Sequence, residues 1–154
     1  MLIYLVEDSG PKAERIVDFL HQHSPDASLQ TLGSYHSALE AIERRCPDVL
    51  LLDMSLPNFD RGPNRREGRL RALGGYEIMR KLRLRNLTPK VIVVSQLEEF
   101  GEGEERITFP EVTEKCASEF PSIFVGSVYF GQGSNSTWPT ELSALLGNIS
   151  RNGG

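Results

Sequence analysis

Five short apolar runs alternate with five amphipathic stretches along the chain. Leu2 to Val6 is continuous and rich in β-branched and other large apolar residues, the pattern of a strand covered on both faces. Asp8 to Gly10 ends the run, Pro11 suits a first helical turn, and Ala13, Ile16, Val17 and Leu20 recur at the spacing of one helical face. Ala27 to Leu32 is a weaker strand. Ser34 then stands where it can cap a helix with the stripe Tyr35, Ala38, Leu39 and Ile42. Val49 to Leu52 predicts a third strand and Lys90 to Val94 a fourth. Tyr76, Met79 and Leu82 mark a helix between them, beginning near Gly75. Thr108 to Glu111 has the form of a capping box, with Ile107 and Val112 spaced for a hydrophobic staple, so a helix is expected from about Phe109 to Phe120. Ile123 to Phe130 is a fifth strand despite Gly126. Leu142, Leu145, Leu146 and Ile149 stripe a final helix entered through Pro139.

Strands that are apolar throughout and alternate with helices imply an α/β fold, a single doubly wound parallel five-stranded sheet with helices on both faces. Ligands of such sheets sit at the carboxyl ends of the strands. At 154 residues the chain suits one such domain, 1–154. A net charge of -4 brings no general attraction to nucleic acid or anionic membrane, so neither is expected as a partner. The opening apolar run is closed at once by Glu7 and Asp8, which excludes a signal peptide or a membrane span there. Cys46 and Cys116 have no C-x-x-C spacing and read as incidental thiols of a reducing, cytoplasmic compartment.

The polar residues that end the apolar strands fall on one edge of this sheet: Glu7 and Asp8 after the first, Asp53 after the third, Ser95 after the fourth. Taken singly, each has a structural reading as a helix cap or turn residue. Together they bring three carboxylates to one place, where without a cation they would repel and raise one another's pKa. A hard divalent ion such as Mg²⁺, which takes oxygen ligands, accounts for the cluster.

Leu5-Val6-Glu7-Asp8-Ser9, then Asp48 to Pro57 with Asp53 at its centre, then Val91-Ile92-Val93-Val94-Ser95 resemble the receiver domain of bacterial response regulators, a flavodoxin-like (βα)5 fold. The resemblance implies that Asp53 is a phosphate acceptor and that Glu7, Asp8, Asp53 and the backbone carbonyl of Ser55 hold Mg²⁺. It further implies that Ser95 hydrogen-bonds the acyl phosphate and that Tyr129 is a switch aromatic whose burial changes on activation. Two features depart from the family pattern. The lysine usual after the fifth strand is replaced by Gln132, an amide that brings no positive charge. Two extensions, at about 61–74 and 97–107, leave from the carboxyl edge of the sheet. The first carries Arg61, Arg65, Arg66, Arg69 and Arg71, the second Glu98, Glu99, Glu102, Glu104 and Glu105. As charge runs they read as solvated mobile loops or as a docking surface or lid, and an arginine of the first is a candidate substitute for the missing lysine.

The expected function is a stand-alone signalling receiver. A sensor histidine kinase or phosphotransfer protein phosphorylates Asp53 with Mg²⁺ present. With no output domain after the last helix, the chain then acts through regulated protein–protein contact with an effector. The alternative is a phosphorylation-independent pseudo-receiver, favoured by Gln132 and the extensions and opposed by the clustered carboxylates. An aspartate-nucleophile phosphatase is disfavoured, because Ser55 stands where such enzymes place a second aspartate, and no enzyme activity is expected.

Overall fold

The computed structural model describes residues 1–62, 68–131, 133 and 136–152. Gln132, Arg65 and Arg66 lie outside the described residues. The main alternation is β1 (Leu2–Val6), α1 (Gly10–His23), β2 (Ser28–Leu32), α2 (Tyr35–Arg44) and β3 (Val49–Leu52). Two short strands, β4 (Leu56–Pro57) and β5 (Leu70–Arg71), come before α3 (Gly74–Leu84) and β6 (Lys90–Ser95). Then follow β7 (Glu99–Phe100), a 3-10 turn (Gly103–Glu105), β8 (Ile107–Thr108), α4 (Phe109–Glu119), β9 (Phe124–Tyr129) and α5 (Trp138–Asn152).

The central sheet has the order β2-β1-β3-β6-β9, and each neighbouring pair is parallel. Alternate residues of the strands serve two cores. Tyr4, Val6, Leu50, Leu52, Val91 and Val93 pack with α2, α3 and α4, whereas Ile3, Leu5, Leu51, Ile92 and Val94 pack with α1 and α5. Burial on both faces is why these strands are apolar at every position. Both sequence-legible caps form: the Ser34 hydroxyl accepts from the Ser37 N–H, and the Thr108 hydroxyl accepts from the Glu111 N–H while the Glu111 carboxylate accepts from the Thr108 N–H. At Gly126 the β6–β9 register slips by a residue, between Val91 and Ile92, and a Cβ there would meet Leu145 at 3.0 Å.

Described residues at the borders of the extensions form two short antiparallel pairs, which the charge runs alone did not suggest. Leu56–Pro57 pairs antiparallel with Leu70–Arg71, and Glu99–Phe100 pairs antiparallel with Ile107–Thr108. The segment that follows β4 is fastened to the start of α2: the His36 N–H donates to Asn58 O, the Ser37 hydroxyl donates to Asp60 Oδ1 at 2.9 Å, and the rings of His36 and Phe59 stack at 4.7 Å. Phe100, buried to 2% exposure, anchors the second hairpin in the core. Between the two lies a cleft of about 1060 Å³, with Ser55, Arg69, Arg71, Glu99 and Glu105 among its walls.

Candidate functional site

Backbone pairing brings the strand ends together. The Glu7 N–H donates to Leu32 O, and the Asp53 N–H donates to Val6 O at 3.0 Å, so both carboxylates leave the sheet from adjacent parallel strands. Oxygens of Glu7, Asp8 and Asp53 lie within 4.8 Å of one another. Asp53 is largely buried, at 8% exposure, and its Oδ1 accepts from the Met54 N–H at 2.8 Å. That bond fixes the carboxylate and leaves Oδ2 as the oxygen turned to the rest of the cluster.

What faces Oδ2 is a residue that sequence reasoning missed. Lys12, in the first turn of α1, is 2% exposed, and its Nζ lies 2.5 Å from Glu7 Oε2 and 3.6 Å from Asp53 Oδ2. The ammonium also donates to Val94 O at 2.9 Å and stands 5.8 Å from the centre of the Phe130 ring. The three carboxylates are therefore not uncompensated, as their convergence in sequence suggested; a cation from α1 lies among them. A sequence signal existed. Lys12 precedes Ile16 by four residues and Leu20 by eight, which places it on the buried stripe of α1. A lysine on such a stripe requires partners, because an unpaired buried charge is costly.

Burial holds the Asp53 carboxyl well above the usual carboxylate range; Lys12 pulls it down, and Glu7 and Asp8 push it up. The donor set fits a hard divalent ion in kind, being oxygen-only and anionic. Glu7, however, is already engaged at both oxygens, Oε1 by the Ser9 N–H at 3.0 Å and Oε2 by Lys12. Asp8 and Asp53 are thus the carboxylates better placed to ligate such an ion directly.

Ser55 is buried two residues after Asp53. Ser95 is fully buried at the end of β6, with its hydroxyl accepting from the Leu97 N–H, and it faces Tyr129 across the β6–β9 ladder. Tyr129 is 39% exposed and meets Phe109 edge-on at 5.9 Å. Arg71, a candidate substitute cation, is committed elsewhere: it donates to Asn58 Oδ1, pairs with Glu77, and lies 4.0 Å over the Tyr35 ring.

A second residue unmarked in the sequence is Gly75. Its N–H donates to Met54 O, while the next N–H, of Tyr76, points at Met54 Sδ. The start of α3 thereby presses against the backbone that follows the acceptor.

No protein-family model matches the chain. An uncharacterized protein of Sinorhizobium fredii is 27% identical over 145 residues, covering 92% of this chain and 94% of its own length. The Detocs response regulatory protein DtcB of Enterobacter cloacae is 26% identical over 144 residues, covering 92% and 95%. Among solved structures, the signal receiver domain of a DNA-binding response regulator from Colwellia psychrerythraea superposes with a TM-score of 0.67 at 16% identity, over 99% of each chain. A response regulator receiver protein from Pseudoalteromonas atlantica gives 0.67 at 13% identity over 100% of each. With the strand order β2-β1-β3-β6-β9 and a helix after each of its strands, the chain has the receiver fold of response regulators, as the motifs at its strand ends had indicated.

Proposed function

We propose that the chain is a signalling receiver that takes a phosphoryl group on Asp53 and acts through a protein partner. One observation carries this reading: a buried aspartate at the carboxyl edge of the sheet, one oxygen fixed by a backbone N–H and the other facing a cation, beside two further carboxylates. Oδ2 is the nucleophile. It forms a bond to phosphorus while the bond from phosphorus to the donor's leaving atom breaks. Ser95, at the end of the next strand, is the hydroxyl proposed to meet a phosphoryl oxygen. Mg²⁺ held by Asp8, Asp53 and the Ser55 carbonyl would neutralise charge on the incoming group. The kinship to proteins named as response regulators supports a histidine kinase or phosphotransfer protein as the donor.

The test is labelling of the full chain with phosphoramidate, followed by intact mass. A single adduct of one phosphoryl group is expected, present with Mg²⁺, suppressed by chelation, and absent from Asp53→Asn. An adduct that persists in Asp53→Asn would move the acceptor elsewhere.

The Lys12–Glu7 ion pair favours a second reading. A site that carries its own cation compensates its carboxylates without a metal, as a phosphorylation-independent binding module would need. Absence of any adduct from the wild type, with or without Mg²⁺, selects this reading.

A further inference from the structure

We infer that Lys12 is the cation that engages the phosphoryl group on Asp53, so that the site draws this charge from the first helix and not from the end of the last strand. The inference rests on the acceptor role proposed for Asp53.

The geometry is specific. Lys12 belongs to the buried face of α1, but its ammonium reaches past the apolar layer to the carboxyl edge of the sheet. There it meets Glu7 Oε2, Val94 O and Asp53 Oδ2. The last contact is the longest, at 3.6 Å. Glu7 and Val94 hold the ammonium in place, and the reacting oxygen lies at the outer limit of ion-pair distance. Phosphorylation changes what that oxygen presents. In the reaction with phosphoramidate, Oδ2 bonds to phosphorus, the P–N bond breaks, and its electron pair leaves on nitrogen as ammonia. The acceptor then carries about one negative charge more than the carboxylate did, spread over three terminal oxygens. Among the described residues Lys12 is the buried cation that faces Asp53, and a flexible ammonium with three donors can exchange part of its hold on Glu7 for a phosphoryl oxygen.

A purely structural role predicts something different. If Lys12 only neutralises Glu7, its ammonium stays with Glu7 whether or not Asp53 is modified, and removing it harms stability without a selective effect on transfer.

Two measurements on the full chain separate these cases. The first follows the Lys12 ¹⁵Nζ resonance, assigned in the wild type by through-bond correlation along the lysine side chain, during titration with beryllofluoride, whose binding is read independently by ¹⁹F. The expected result is a shift of the Lys12 resonance in step with the bound ¹⁹F signal, absent in Asp53→Asn. A bound ¹⁹F signal with an unmoved Lys12 resonance overturns the inference. The second is the rate of phosphoramidate labelling in Lys12→Met and Lys12→Arg. A loss of at least tenfold in the methionine variant, partly restored by arginine, is expected; a wild-type rate in Lys12→Met overturns it. If neither variant folds, the resonance measurement on the wild type decides. Absence of both bound ¹⁹F and any adduct in the wild type removes the acceptor role, and the inference with it.

Discussion

A methyl group on Gly75 would lie 2.6 Å from the carbonyl oxygen of Asp53 and 3.1 Å from the α-carbon of Met54. Real Cβ atoms do not approach a backbone oxygen so closely, so any side chain here must push the start of α3 away from the acceptor segment. Gly75→Ala is expected to cost about 1–3 kcal/mol, as overpacking does, and to slow labelling of Asp53. Gly147, within α5, has open space where its Cβ would go, so Gly147→Ala should instead stabilise by roughly 0.5–1 kcal/mol. Urea unfolding of the two variants checks the opposite signs; destabilisation by both would show that the contact at Gly75 is not the cause.

Burial raises the Asp53 carboxyl above its ordinary range, and that fixes the direction of a pH effect. A carboxyl whose folded pKa exceeds its unfolded value favours the folded state while protonated. That contribution is full below the unfolded pKa and is lost as pH rises through the folded one. An asparagine at position 53 does not titrate. Asp53→Asn should therefore melt higher than wild type at neutral pH, with the gap narrowing as the pH falls towards the ordinary carboxylate range. Paired thermal melts across that range test this, and a gap that widens in acid would show the carboxylate to be stabilising.

Asp8 lies in the carboxylate cluster and adds to the repulsion felt by Asp53. Asp8→Asn is expected to weaken Mg²⁺ binding in calorimetric titration while leaving thermal stability unchanged or raised. Unfolding of this variant with Mg²⁺ affinity retained would make Asp8 a structural residue.

The two thiols should separate cleanly by reactivity. Burial pushes the Cys116 thiol up to about 12, and the side chain is fully enclosed. Cys46 is also raised, by burial and by Asp48, but remains half-buried. Iodoacetamide at mildly alkaline pH should add one group to the native protein, at Cys46, and a second only after denaturation. Two adducts on the native chain would mean that the core around Cys116 opens readily.

The central strands were legible because burial on both faces leaves them no polar position, and Asp53 and Ser95 were legible because each follows such a run. Ser34 and Thr108 announced their helices through side chains that satisfy the first free N–H groups. The two hairpins were not legible. Their strands are two residues long, too short for any period to show, and their positions depend on distant contacts such as Asp60 with Ser37. Lys12 escaped for a related reason. It reads as one polar residue beside an apolar stripe, and two of its three partners lie far along the chain, Asp53 just after β3 and Val94 in β6. Gly75 is marked only by what it touches, and that contact exists only after the first hairpin has returned the chain to the acceptor.

The partners of Lys12 also differ in how soon a folding chain can offer them. Glu7 is five residues away, so this ion pair closes a short loop once β1 and α1 meet, whereas the Val94 carbonyl is 82 residues distant. Short loops close at small entropic cost, and contacts between distant segments come late. The first strand and helix thus carry a balanced charge pair of their own, and the Asp53 carboxylate that follows β3 faces an ammonium whose ionic partner is local in sequence.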